Sequence, residues 1–238
     1  MPSPRKLVLV TGAAKRIGRV IAIELSKRGF AVAIHYNTSR AEAEEVSSEC
    51  SSAPLFQADL SKIDEIRRLF REVRDQFGPL DCLVNNAARF TRIPVLEITE
   101  YDWDFIHEVN LKATFFCCQE AARQMEELGE GRIVNISSLG GLRPWANHAH
   151  YCASKAGVIM LTKALANALA PKIAVNSVAP GVIPFGEVDE GVQAMIDRTP
   201  MHKGGRPEDV AEAVYFFLTA PDFITGQILA VDGGLSQR

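Results

Sequence analysis

The chain has 238 residues, 47% of them apolar and 23% charged, which is enough apolar content for a substantial core and ordinary for a globular protein. A formal net charge of −3 gives no electrostatic ground for binding nucleic acid or an anionic membrane. The first apolar run, Leu7–Val10, is too short for a signal peptide, and no later run approaches the roughly 20 residues of a spanning helix, so a cytoplasmic protein is expected.

Apolar, β-branched runs alternate with longer helical patterns. Residues 6–11 read as a buried strand, 17–28 as a helix closed by Gly29, 31–36 as a second strand and 40–50 as a polar helix. A short strand at 55–57 precedes a helix at 63–77, which Gly78-Pro79 ends, and a strand follows at 80–85. Helices fill 100–127, including a long one from about Asn110. A strand at 131–137 leads to a long helix at 151–169, ended by Pro171. A strand at 172–179, a helix at 207–219 and a last strand at 227–231 complete the pattern. Continuously apolar strands separated by helices imply an α/β fold: one doubly wound, Rossmann-type parallel sheet of about seven strands with helices on both faces. No linker, composition shift or repeat divides the chain, so residues 1–238 read as one domain. Cys50, Cys82, Cys117, Cys118 and Cys152 are odd in number and form no Cys-x-x-Cys pair or Cys/His cluster, which points to free thiols and no metal site.

The segment Thr11-Gly12-Ala13-Ala14-Lys15-Arg16-Ile17-Gly18 lies between the first strand and its helix. Gly12 permits a tight turn and Gly18 close helix–strand packing, and the free N–H groups of the helix N-terminus suit a pyrophosphate. Dinucleotide folds that take NAD carry a carboxylate at the end of the second strand. Here Ile34-His35-Tyr36 is followed by Asn37-Thr38-Ser39-Arg40, with no carboxylate before Glu42. Arg16 can face a 2′-phosphate, and Thr38 and Ser39 can hydrogen-bond to it, so NADP(H) is the expected cofactor.

Tyr151 and Lys155 stand four residues apart and project from one helical face. An ammonium group favours a neighbouring phenolate, so the pair can exchange a proton with a substrate heteroatom. Lys155 is also long enough to reach the nicotinamide ribose. Ser138 follows the fifth strand, at the carboxyl edge where open α/β sheets bind ligands, and its hydroxyl can bond the reacting atom. Tyr-x-x-x-Lys alone is common on surface helices; it gains meaning from the glycine turn and from Ser138.

With these motifs the chain resembles the short-chain dehydrogenase/reductase family over essentially its whole length. The resemblance rests on Thr11-Gly12 to Gly18, Asp59-Leu60, Asn85-Asn86-Ala87, Asn110, Ser138, Tyr151, Lys155, Pro180-Gly181 and Asp232-Gly233-Gly234. It implies catalysis by Ser138, Tyr151 and Lys155, with Asn110 in a water-mediated proton relay to Lys155. Cofactor contacts are implied for Gly12, Arg16, Ile17, Gly18, Asn37, Thr38, Ser39, Asp59, Leu60, Asn86, Ala87, Tyr151, Lys155, Pro180, Gly181, Val182 and Ile183. The family's usual glycine loop has a further glycine where Arg16 stands. The sequence around Arg16, the His35–Ser39 segment and Asn85-Asn86-Ala87-Ala88-Arg89-Phe90 resemble the pteridine reductase branch, in which an aromatic at the Phe90 position stacks on a pterin. Phe90, Arg89, Ser138, Tyr151 and Phe185 are the expected substrate contacts; Trp145 and His148 either join them or pack at a subunit contact. That branch carries Asp where Ser138 stands, and serine suits carbonyl reduction. The alternatives are therefore a 3-oxoacyl-carrier-protein or general ketone reductase, and a silent NADPH sensor. The helices at 110–127 and 152–169 resemble the family's dimer-forming helices, which implies a homotetramer, although their apolar residues equally suit a core. The segment 182–203 is expected to cover the site.

Overall fold

The computed structural model describes residues 5–237; Met1 to Pro4 and Arg238 lie outside the described residues. Seven strands form one sheet: β1 (Leu7–Val10), β2 (Ala31–Tyr36), β3 (Leu55–Gln57), β4 (Cys82–Asn85), β5 (Gly131–Ile136), β6 (Ile173–Pro180) and β7 (Ile228–Val231). Their spatial order is β3-β2-β1-β4-β5-β6-β7, and every pairing is parallel. The order reverses between β1 and β4, the switch point that opens a crevice outside the strand ends. The helices are α1 (Arg16–Lys27), α2 (Arg40–Glu49), α3 (Ile63–Phe77), α4 (Glu100–His107), α5 (Thr114–Leu128), α6 (Ala149–Leu169), α7 (Glu190–Arg198) and α8 (Pro207–Thr219). The doubly wound sheet expected from the sequence is thus the fold found. Among the described residues, no helix is long and apolar enough to cross a membrane.

Burial on both faces explains why the strands read as continuous apolar runs. Along β1, Val8 and Val10 join a core with α1 and α8, while Leu7 and Leu9 join a second core with α3 and α5. The buried residues of α3, Ile66, Leu69, Phe70 and Val73, recur at the three- and four-residue spacing of a single helical stripe. Gly78, at φ +87°, ends this helix, and Gly129, at φ +80°, ends α5.

Three local outcomes depart from the sequence reading. The helices across 100–127 are joined by a π-helical turn, Glu108–Ala113, which contains Asn110. The Asn110 carbonyl there accepts a bond from the Thr114 hydroxyl at 2.8 Å. The segment 182–203, to which the sequence reading assigned no element, contains α7, capped by the Asp189 carboxylate on Val192 N. Strands β1 and β4 are shorter than the ranges 6–11 and 80–85 read from the sequence, and just before β4 the Asp81 carboxylate accepts a bond from Leu7 N at 2.7 Å. All five cysteines are free.

Between β4, β5, α5 and α6 runs a buried polar network. Asn85 Nδ2 donates to Asn135 Oδ1 at 2.9 Å and to Cys118 Sγ at 3.2 Å, and Asn135 Nδ2 donates to Thr162 Oγ1 at 3.0 Å. Such groups are stabilising only while all are paired. Asn135→Ala removes the oxygen partner of Asn85 Nδ2 and the donor to Thr162 Oγ1 and is expected to lower stability by about 2 kcal/mol, seen as a lower denaturant midpoint at unchanged slope.

Candidate active site

A cavity of about 800 Å³ lies along the carboxyl edge of the sheet, lined from Gly12 at one end to Tyr151 and Lys155 at the other. The turn after β1 forms its first wall. Gly12 has φ +61°, and a Cβ there would meet Ala87 Cα at 2.9 Å; a Cβ on Gly18 would meet Gly12 O at 2.3 Å and Asn86 Nδ2 at 2.4 Å. Only glycine fits either position. Arg16 also has positive φ, +50°, which accounts for the glycine that the resembled family prefers there.

The turn is fastened on both sides. The Thr11 hydroxyl accepts from Asn86 N and Ala87 N at 2.9 and 3.0 Å, and Asn86 Nδ2 donates to the carbonyls of Thr11 and Gly12 at 3.0 Å each. On the other side, the imidazole of His35 stands between Gly12 N and Ala58 O, 3.0 Å from each. Helix α1 begins at this turn with no side-chain cap and no acidic residue in its first turn. Its first N–H groups are therefore left for an anion. This close-backbone cradle fits the pyrophosphate of a dinucleotide.

Most expected cofactor contacts line the cavity: Gly12, Arg16, Ile17, Gly18, Asn37, Asp59, Leu60, Asn86, Ala87, Tyr151, Lys155, Pro180, Gly181, Val182 and Ile183. Thr38 and Ser39 do not. Ser39 stands at the N-cap position of α2 without a side-chain capping bond, and the Thr38 carbonyl accepts from Arg40 N. Lys15, not expected from the sequence, does line the cavity, and its ammonium pairs with Glu42 at 2.7 Å.

At the other end, β5 and α6 bring Ser138, Tyr151 and Lys155 together. Ser138 Oγ accepts from Gly140 N at 3.0 Å, which fixes its orientation, and the Ser138 hydroxyl favours the Tyr151 phenolate. Lys155 Nζ donates to Ile136 O at 2.8 Å and lies 5.9 Å from the centre of the Tyr151 ring. Burial pushes the Tyr151 hydroxyl up to about 12, opposed by the Ser138 hydroxyl, and holds the Lys155 ammonium down at about 8. At neutral pH this leaves a protonated tyrosine beside a cationic lysine.

Asn110 is outside the cavity lining. Its side chain accepts from Arg89 N at 2.7 Å and donates to Arg89 O and Ser154 Oγ at 2.9 and 3.1 Å. Ser154 Oγ in turn donates to Tyr151 O at 2.7 Å, so Asn110 braces the loop before Phe90 and the start of α6. Arg89 lines the cavity, but its guanidinium donates to Phe105 O at 3.0 Å, lies 3.6 Å from Glu108 and covers the Phe105 ring, so it is directed at α4 rather than at a substrate. Phe90, Trp145 and Phe185 do line the cavity. Phe90 meets Tyr151 edge-on at 4.8 Å and stacks on His148 at 4.9 Å, while Trp145 lies parallel to Tyr151 at 6.0 Å. His148 therefore supports Phe90 rather than lining the cavity. Val188, Val192 and Met195, on and before α7, add an apolar wall that the sequence reading missed. The Asp232-Gly233-Gly234 turn is held by its own bonds: Asp232 accepts from Gly234 N and Ser236 N, and Gly233 O accepts from Met201 N.

His35 was also missed as a site residue, although a lone histidine in an apolar strand was the available signal. Burial holds it down at about 4, against 6.5 for a free imidazole. A base depressed in this way is neutral in the folded protein, so its contribution to stability is complete above pH 6.5 and lost as pH falls toward 4. Wild type is expected to lose about 3 kcal/mol more than His35→Gln over that interval, measurable by denaturant titration at each pH.

Residues 12–236 match the family model described as Enoyl-(Acyl carrier protein) reductase. A 3-oxoacyl-[acyl-carrier-protein] reductase FabG of Staphylococcus aureus is 39% identical, covering 97% of this chain and 98% of its own length. A short-chain type dehydrogenase/reductase of Picea abies is 35% identical, covering 96% of this chain and 92% of its own length. Among solved structures, a putative short-chain dehydrogenase/reductase from Burkholderia xenovorans superimposes with a TM-score of 0.92 at 30% identity, covering 99% of this chain and all of that one. These relatives carry carrier-protein and general reductase names, which favours the carbonyl alternative over the pterin branch. In sequence and in fold alike, the chain belongs to the short-chain dehydrogenase/reductase family of oxidoreductases.

Proposed function

We propose that the chain, acting as one domain over residues 1–238, is an NADPH-dependent reductase of ketone carbonyls, of the 3-oxoacyl thioester type. The observation that carries this reading is the convergence of Ser138, Tyr151 and the buried Lys155 on one end of the cavity. Held by the Gly12–Gly18 turn and the start of α1, a reduced nicotinamide dinucleotide would supply the hydride for the carbonyl carbon. Tyr151 gives its hydroxyl proton to the carbonyl oxygen, Ser138 holds that oxygen in line, and the Lys155 ammonium offsets the phenolate left behind. Asn110 keeps the Phe90 loop and the start of α6 in register. Phe90, Trp145, Phe185 and the apolar wall of α7 accommodate the rest of the substrate. Intact Ser138, Tyr151 and Lys155 argue against a silent sensor.

NADP(H) is favoured over NAD(H) by charge. Arg16 and Lys15 border the cavity, and no carboxylate from the end of β2 does. A homo-oligomer is supported by large exposed side chains on α4 and α5, including Tyr101, Trp103 and Phe115. A planar, pterin-like substrate remains the second reading, favoured by the position of Phe90 against Tyr151.

Tyr151→Phe is expected to abolish turnover of an acetoacetyl thioester while NADPH binding, followed by fluorescence, persists; activity in that variant rejects the mechanism. Turnover of a dihydropterin but of no acetoacetyl thioester or simple ketone replaces the first reading with the second. NADPH is expected to outperform NADH in kcat/KM, and Arg16→Ala to shrink the ratio by about tenfold, the worth of one charge-assisted contact. Equal rates with both cofactors in the wild type overturn the preference.

A further inference from the structure

Strand β2 is apolar except for His35 before its last residue, and that side chain is only 1% exposed. A valine or isoleucine would pack there without burying polar atoms, so the imidazole calls for a reason. Both ring nitrogens are engaged, and both partners are main-chain groups with one possible role. Gly12 N–H can only donate, so Nδ1 must present its lone pair; Ala58 C=O can only accept, so Nε2 must carry the hydrogen. The tautomer is thus fixed by the partners. Burial keeps the ring neutral, as this arrangement requires.

The two groups it joins belong to different parts of the cavity. Gly12 opens the turn whose helix end faces the pyrophosphate position, whereas Ala58 immediately precedes Asp59 and Leu60 on the adenosine side. Main-chain bonds already fix the neighbouring residues to β2: Ala13 N donates to His35 O at 2.9 Å, and Ala58 N to Tyr36 O at 3.1 Å. The imidazole adds the link across the end of the strand. It also turns Gly12 N–H inward, so that the anion-facing groups are those at the start of α1.

We propose that His35 is a positioning residue for the dinucleotide: as a fixed Nε2–H tautomer it ties the glycine turn to the exit of β3, setting the spacing between the pyrophosphate and adenosine ends of the site. The inference rests on the cofactor reading of this cavity. His35 lies three strand spacings from β5 in the sheet order, roughly 14 Å, so its effect falls on cofactor binding rather than on the chemistry at Tyr151.

The test is titration of wild type, His35→Leu and His35→Gln with NADPH and NADH, together with kcat at saturating cofactor and the imidazole ¹⁵N spectrum of the wild type. Leucine removes both bonds; glutamine offers one acceptor and one donor at a spacing similar to that of the two ring nitrogens. His35→Leu is expected to weaken NADPH binding by about tenfold or more, to change saturating kcat by less than about twofold, and glutamine to restore most of the affinity. Wild-type affinity in folded His35→Leu overturns the proposal. So does a fall in saturating kcat without a change in affinity, or a spectrum showing the Nδ1–H tautomer. If the leucine variant does not fold, the glutamine variant and the spectrum decide: an Nδ1–H wild type, or affinity of folded His35→Gln about tenfold or more below that of the wild type, rejects the strut, and near-wild-type affinity with an Nε2–H wild type supports it. A wild type that binds neither dinucleotide fails at the cofactor reading itself, a result distinct from a strut that proves dispensable in a protein that binds NADPH.

Discussion

A parallel sheet ends with all its carboxyl termini on one edge, and the main-chain groups there must find partners outside the ladder. In this protein that requirement builds the site. At the end of β1, the turn through Gly12 and Gly18 is held against β4 by Thr11 and Asn86, and against β2 and β3 by His35. At the end of β5, Ile136 O is taken by Lys155, and Ser138 is oriented by Gly140 N. The polar side chains that satisfy the strand ends are also those that face the cavity.

The second half of the cavity is held by the loop from Arg89 to Ile93. Asn110 takes both the N–H and the carbonyl of Arg89, Thr91 bonds His150 at 2.6 Å, and Ile93 N donates to Asn147 O at 2.9 Å. Phe90 is thereby held against Tyr151 and His148. The π-helical turn at Glu108–Ala113 is the helical irregularity that accompanies this bracing. A rigid aromatic edge beside the proton donor, facing the more apolar wall formed by α7, gives a cavity with one reactive end and a broad apolar body.

The apolar periods, the glycine turn and the Tyr-x-x-x-Lys spacing were legible because each is a local consequence of chain geometry. Strand β2, strand β3 and helices α3 and α8 begin and end where those patterns do. The sequence position of Arg89 beside Phe90 does not reveal that its guanidinium turns toward Phe105 and Glu108. Thr38 and Ser39 fall at the start of α2, just beyond Asn37, which does line the cavity. Helix α7 was not anticipated, since its few apolar residues lie in a short, mainly polar segment and gain meaning only against the cavity.

By itself, the sequence determined the doubly wound sheet, the glycine turn and the pairing of Tyr151 with Lys155, because strand burial, positive φ and helical spacing act within a few residues. Tertiary structure decided which side chains reach the cavity and which brace it. It joined the Asn110 side chain to Arg89 and Ser154, and it gave His35 two main-chain partners 23 residues away on either side in sequence. Those roles depend on hydrogen-bond partners brought close only when the strands align, which no local pattern encodes.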